Sequence, residues 1–312
     1  MTIILFNVDG KTMSYHKLLG FDKEPFSTSP DPEFLHLTRE HEIALTNILI
    51  ELRLRRGLMV IFGDIGTGKT TLSRKLLQEL RQRHDMLFHM ILNPAFSTED
   101  QLLSSLIRNF NIPQNPRFKN SVGEIMELRD TVERFLIQKA VQEKKTIVLI
   151  IDEAQKLNEE ILEALRLLLN FETNQYKLIQ VVLLGQMELY PKCAAMANFM
   201  DRISFKYTLH PLSLENTKAM IEFRLKKACE NDVPKIFLDE AIHEIYTVTG
   251  GYPRRINMLC HQILKELVVE NQKIVDREFV RNMLDHPYGV RPPDIEGVWN
   301  QPSLTGGQSL IG

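Results

Sequence analysis

Apolar residues in this chain fall into two kinds of pattern. Short, mostly apolar runs at 58–62, 87–92, 147–151 and 178–184 have the length of strands covered on both faces. Between them, apolar residues recur every three or four positions, the period of a helix with one buried stripe. Such stripes are Ile43, Leu45, Ile48, Leu49 and Leu52 within 39–56, and Leu72, Leu76, Leu77 and Leu80 within 69–83. Three more hold Leu102, Leu103, Leu106, Ile107 and Phe110; Ile125, Leu128, Val132, Phe135 and Leu136; and Ile161, Leu162, Leu165, Leu168 and Leu169. Thr98 with Gln101, and Ser121 with Glu124, have the spacing of a capping box. A last strand, 203–209, alternates Ile203, Phe205, Tyr207 and Leu209 with polar residues, so one face meets water. Strands alternating with helices predict an α/β fold with a parallel sheet.

After Leu212 the pattern is helical only. Ser213 is placed to cap a helix to about Cys229, and Asp239 a second that ends at Thr249-Gly250-Gly251. Pro253 suits the first turn of a third, whose Ile256, Leu259, Cys260, Ile263, Leu264, Leu267 and Val268 form one stripe. The expected organisation is an N-terminal extension and ordered loop over 1–38, a sheet core over 39–210, a small helical domain over 211–285 and a tail over 286–312. Residues 1–12 are expected to carry little structure, with Met13 as a candidate start. The tail is rich in Pro, Gly, Ser and Gln and has Trp299 as its large anchor.

Chemistry enters at Gly63-Asp64-Ile65-Gly66-Thr67-Gly68-Lys69-Thr70, a complete G-x-x-x-x-G-K-T phosphate loop between a strand and a helix. Its glycines let backbone N–H groups curl around phosphates, and the helix N-terminus adds partial positive charge. Lys69 is placed to meet the β- and γ-phosphates, Thr70 to ligate magnesium, and Thr71 to join the same nucleotide contacts. The 147–151 strand ends in Asp152-Glu153. Asp152 is the second expected magnesium ligand, and Glu153 the base that orients and deprotonates an attacking water. The pairing predicts ATP and Mg2+ as ligands and ATP hydrolysis as the activity.

Net charge is −2 over 312 residues, which gives the whole molecule no pull toward nucleic acid or acidic lipid, though it does not exclude DNA. Cys193, Cys229 and Cys260 lie far apart, which fits a reducing, cytoplasmic setting. No apolar run reaches membrane-spanning length. His41-Glu42 lacks a second histidine four residues on, so it is no zinc motif. Arg53, Arg55 and Arg56 read as a solvated cluster at a helix end.

A strand and helices intervene between the phosphate-loop strand and the Asp-Glu strand. That arrangement resembles the additional-strand group of P-loop proteins, which includes AAA+ ATPases. The resemblance implies three further residues. Gln186, after the 178–184 strand, takes the sensor-1 position. Arg202, before the last strand, takes the position of an arginine that reaches a neighbouring subunit's γ-phosphate, and so implies a homo-oligomeric ring. Arg254, in Gly-Tyr-Pro-Arg, takes the sensor-2 position, with Arg255 the adjacent alternative.

An ordered set of longer matches resembles the ExeA-like AAA+ ATPases, the general secretion pathway protein A family. It runs through Leu19-Gly-Phe-Asp-Lys-Glu-Pro-Phe26, Ser29-Pro-Asp-Pro-Glu-Phe-Leu35, His41-Glu-Ile-Ala-Leu45 and Gly63 to Thr71. It continues through Ile151-Asp-Glu-Ala-Gln155, Leu165-Arg-Leu-Leu-Leu-Asn-Phe-Glu-Thr173, Leu184-Gly-Gln-Met-Glu-Leu189, Asp201-Arg-Ile203 and Gly250-Gly-Tyr-Pro-Arg-Arg-Ile-Asn257. Met187 and Asp201 depart from the family pattern, which usually has proline and often has glutamine there. The resemblance implies an assembly or energising factor for a secretion or export system, working at the cytoplasmic face beside an inner-membrane partner. ExeA itself continues into a membrane helix and a peptidoglycan-binding module; this chain stops soon after the helical lid, so that anchoring is not carried over. Two other readings remain, an AAA+ regulator acting on DNA and an ATP-gated scaffold with little turnover.

Overall fold

The computed structural model describes residues 5–6, 12–27, 34–113, 124–229 and 234–285. The chain opens with a short antiparallel pair, β1 (Leu5–Phe6) and β2 (Thr12–Met13), then α1 (Tyr15–Leu18) and α2 (Arg39–Leu54). The alternating part follows: β3 (Leu58–Gly63), α3 (Lys69–Arg81), β4 (Met86–Ile91), α4 (Glu99–Asn109), α5 (Glu124–Ile137), β5 (Thr146–Ile151), α6 (Glu159–Leu168) and β6 (Ile179–Gly185). Two short helices, α7 (Leu189–Ala194) and α8 (Ala197–Met200), lead to β7 (Ile203–Leu209). Four helices close the described chain: α9 (Leu214–Ala228), α10 (Asp239–Thr249), α11 (Pro253–Val269) and α12 (Arg277–Asp285).

These elements form two compact units, one over Leu37–Pro211 and one that joins the residues up to His36 with those from Leu212 onward. The first is a five-stranded parallel sheet in the order β4-β5-β6-β3-β7. Side chains alternate across it. Leu58, Val60, Phe62, Ile147, Leu149, Ile151, Val181 and Leu183 join one core, and Met59, Ile61, Val148, Ile150, Val182 and Leu184 the other. Burial on both faces explains why β3, β5 and β6 read as near-continuous apolar runs. Gln180, the polar exception in β6, is fully buried with both amide ends used: Gly57 N donates to its Oε1 at 2.8 Å and its Nε2 donates to Lys177 O at 2.9 Å. Edge strand β7 exposes Ser204 and Lys206, as its alternation predicts.

The second unit packs α9 to α12 around Ile221, Ile245, Ile256, Leu259, Ile263 and Leu267. Phe21, Phe26 and Phe34 from the N-terminal part are buried in the same core. Phe26 meets Phe237 edge to face at 6.1 Å. Backbone donors of Asp22 and Lys23 reach Ala228 O at 2.8 and 3.1 Å, and Arg224 Nη1 donates to Pro25 O at 3.0 Å. Phe21, Phe26 and Phe34, from the stretch that the sequence sets apart from the helical domain, are therefore part of its core.

Several local expectations change. Residues 1–12, expected to carry little structure, contribute a strand to the β1–β2 pair. Thr98 precedes α4 without a side-chain cap; Gln101 Oε1 instead accepts from Ser97 N at 2.9 Å. Asp239 is the first helical residue of α10, not its cap, and its carboxylate accepts from Lys218 Nζ at 2.7 Å. Ser213 does cap α9, accepting from Asn216 N at 3.2 Å. Arg55 is not a solvated member of a basic cluster. Its guanidinium stacks on Tyr176 at 4.5 Å and donates to Thr146 Oγ1, Ala140 O and Lys144 O. The Ser121–Glu124 box and the tail with Trp299 lie outside the described residues. All three cysteines are free thiols.

Truncating a fully buried phenylalanine removes its burial and leaves a cavity, a cost of about 3–5 kcal/mol. Phe26→Ala should therefore open the helical unit. Hydrogen exchange should show lost protection in α9 to α12 with the amides of β3, β5 and β6 unchanged.

Candidate active site at the carboxyl edge of the sheet

Parallel strands point their carboxyl ends to one edge, and ligands of such sheets bind where neighbouring connections diverge. β3 is flanked by β6 and β7, whereas the chain leaving it runs to β4 on the far side of β5. The phosphate loop, Asp152-Glu153 and Gln186 follow β3, β5 and β6 at this edge.

The loop is folded on itself. Thr67 is fully buried, and its Oγ1 donates to Asp64 O at 2.9 Å. A Cβ at Gly63 would lie 2.7 Å from Thr67 Oγ1 and 2.9 Å from Leu209 O, so the position requires glycine. Gly68 has φ +103°, and a Cβ there would lie 2.4 Å from His41 Nε2. Asp64, Ile65 and Thr70 face outward, Gly66 and Thr71 are partly exposed, and α3 starts at Lys69.

Lys69 is 6% exposed, and its Nζ donates to Gly63 O at 2.7 Å and Asp64 O at 2.8 Å. Burial lowers its pKa, opposed by the negative charges of Glu153, Asp152 and Asp64. Asp152 is 2% exposed. Burial raises its pKa, opposed mainly by the Glu153 N–H that donates to Oδ1 at 3.0 Å. Thr70 Oγ1 donates to Asp152 Oδ2 at 3.3 Å, and Ser73 Oγ lies 3.5 Å from the same oxygen. Thr70 and Asp152 thus converge as two hard oxygen donors, the kind magnesium takes. The site holds a partly desolvated cation and a partly desolvated anion, each held by short polar contacts.

Glu153 is half-buried with φ 56° and ψ 35°, a left-handed conformation uncommon outside glycine and typical of functional sites. Its Oε2 accepts from Gln155 Nε2 at 2.7 Å. Gln155 Oε1 in turn accepts from Gln186 N at 3.0 Å. The structure therefore brings Lys69, Thr70, Asp152, Glu153 and the Gln186 turn together. It also adds two residues that sequence reasoning left out, Gln155 and His41. His41 had a signal, because it lies on the buried face of α2 with Leu45, Ile48 and Leu52; its Nδ1 is 2.7 Å from Thr38 Oγ1. Gln155 had none beyond its place after Asp152-Glu153.

Arg202 lies elsewhere. β3 and β7 are parallel, with Ile203 opposite Leu58 and Leu209 opposite Gly63. At about 3.3 Å per residue, Arg202 is on the order of 20 Å from its own phosphate loop, at the opposite end of the sheet. Arg254 and Arg255 belong to the helical unit, in the first turn of α11. The Arg255 guanidinium lies 4.5 Å from the Tyr252 ring centre, while the Arg254 side chain is exposed.

Sheet order, loop and strand-end acids define a P-loop nucleotide-binding fold of the AAA+ class. Residues 51–192 match the family model described as an AAA domain. The chain is 36% identical over 252 residues to general secretion pathway protein A of Aeromonas hydrophila, covering 80% of this chain and 44% of that protein. It thus spans less than half the length of that relative. Among solved structures, Cdc6p from Pyrobaculum aerophilum aligns with a TM-score of 0.61 and 18% identity, over 83% of this chain and 69% of that one. The Aeropyrum pernix ORC2 protein, in ADPNP and ADP complexes, aligns with a TM-score of 0.59 and 16% identity, over 84% and 71%. The Drosophila ORC bound to DNA gives 0.60 and 18%, over 91% and 68%. At these identities the likeness concerns the fold. The chain thus carries an AAA domain and is similar to the ExeA-like AAA ATPases.

Gly68→Ala tests the cradle. The added methyl group meets the His41 ring on a left-handed backbone, and relieving the clash distorts the loop. A fluorescent ATP analogue should bind at least about tenfold more weakly, while the protein still melts cooperatively at a temperature lowered by the strain of about 1–3 kcal/mol.

Proposed function

We propose that this chain binds ATP with magnesium and hydrolyses it, and that the turnover drives assembly or energises a secretion or export system. The observation that carries the ATPase reading is the buried Lys69–Asp152 site with Glu153 beside it. A phosphate chain offers Lys69 the anion that its burial calls for, and a divalent ion offers Asp152 the matching cation. Thr70 and Asp152 would hold that magnesium, which when bound neutralises phosphate charge.

In this reading the sheet unit is the catalytic core and the helical unit the lid. Residues 63–71 hold the triphosphate through backbone amides and Lys69. Glu153 accepts the proton of the attacking water, and Gln186 faces the γ-phosphate or that water. Arg254, exposed at the start of α11, is the lid's contact to nucleotide. The secretion role is taken from the relative in Aeromonas hydrophila named for that pathway. No helix among the described residues is long and apolar enough to cross a membrane. The proposed place of work is the cytoplasmic face of the inner membrane, beside a partner protein.

Glu153→Gln keeps the shape of the acid and removes its basicity. Multiple-turnover phosphate release should fall by about 10²–10⁴-fold while ATP still binds. A variant that releases phosphate at the parent's rate would remove the hydrolytic reading.

Arg202 is too far from its own loop to serve it, which supports a ring in which it serves a neighbour. Arg202→Ala should lose turnover in isolation. Mixing it with Glu153→Gln protein should restore part of the rate, because some interfaces then pair an intact arginine with an intact acid. Two inactive proteins that stay inactive when mixed, under conditions where they co-assemble, would argue against the ring.

A further inference from the structure

We propose that Gln155 is a positioning residue of the reaction, holding the Glu153 carboxylate in register with the turn after β6. The inference rests on the reading of Glu153 as the base that activates water, and goes one step further by naming what orients that base.

Glu153 sits on a left-handed backbone between the end of β5 and a single 3-10 turn, Ala154–Lys156. Neither a strand nor a helix therefore dictates where its side chain points. Gln155 reaches its carboxylate, Nε2 donating to Oε2 at 2.7 Å. The orientation of that amide is settled by its other end. Gln186 N is a donor only, so the group facing it at 3.0 Å must be Oε1, which turns the NH2 group toward Glu153. Gln155 is itself 6% exposed.

The surroundings keep this bridge taut. Lys192 Nζ, from α7, donates to Gln155 O at 2.5 Å and to Leu157 O at 3.0 Å, which ties the 3-10 turn to that helix. Gly185, the last residue of β6, is pressed against the same turn. A Cβ there would lie 3.2 Å from Gln155 N and 2.6 Å from Leu189 Cδ2. A displacement of the Gln186 turn must then move the Gln155 amide, and with it the Glu153 carboxylate. Gln155 is thus a mechanical link between the residue that faces the γ-phosphate and the acid that takes the proton. It acts through Glu153 and touches no reacting atom.

The test uses the full chain and Gln155→Met, which fills the same volume without an amide, together with Gln155→Glu, which keeps the acceptor facing Gln186 N but presents a like charge to Glu153. Both should lower kcat by about 10–100-fold, as misplacement of a catalytic group does. KM and the affinity for a fluorescent ATP analogue should stay within about threefold of the parent, and the melting transition should be retained. In single-turnover assays on a Glu153→Gln background, adding Gln155→Met should cost less than about twofold, since the group it positions no longer acts as a base. Parent-like kcat in Gln155→Met would overturn the proposal. So would loss of nucleotide affinity in step with kcat, which marks a structural role, or an undiminished loss on the Glu153→Gln background, which marks an independent one. A parent protein that binds ATP but releases no phosphate would instead overturn the hydrolytic reading on which this inference rests, and is recognised before any variant is compared.

Discussion

Taking an ammonium group out of water is unfavourable unless carbonyl oxygens or anions replace the solvent. The sheet unit is organised around one such group. Lys69 is nearly enclosed, and two carbonyls of its own loop accept hydrogen bonds from it. For those carbonyls to turn inward, the loop must double back. That demands glycine where it presses on Leu209 and on His41, and a threonine tucked beneath it. The loop can double back only because β3 ends in the interior of a sheet covered on both faces. Burial of Asp152 follows from the same geometry, since β5 ends at the same edge. Enclosure disfavours the charged form of each group. In the reading proposed above, a magnesium-bound polyphosphate brings both signs of charge at once and complements the two groups.

How much of this was legible in the sequence follows from how local each signal is. β3, β5 and β6 stand out because burial on both faces leaves little but branched aliphatic residues. The phosphate loop stands out because its chemistry is carried by consecutive residues. The Pro253 start of α11 and the Ser213 cap of α9 were equally local and hold. α7 and α8 escaped, since 189–200 mixes proline, cysteine and alanine over spans too short for a period. Leu189, Cys193 and Phe199 fix them by packing. The Asp239 cap failed because the helix starts one residue earlier than a cap requires, with Leu238 at the cap position and the Asp239 carboxylate on Lys218.

The less legible features share one cause, adjacency between segments distant in the chain. Gln155 meets Gln186 because β5 and β6 are neighbours, and no spacing rule connects the two. Arg55 looks like a free cation until residues some ninety positions later close around it. Phe21, Phe26 and Phe34 look like loop aromatics until the helices past Leu212 bury them.

That last feature carries a consequence for biosynthesis. The two stretches that make up the helical unit are separated by roughly 175 residues of sheet unit. At about 5–20 residues per second on the ribosome, the leading aromatics wait on the order of ten to thirty seconds for their partners. Meanwhile the intervening unit can complete its own fold. The nascent chain thus carries unpartnered aromatics until α9 to α12 have emerged, a window in which a chaperone has something to hold.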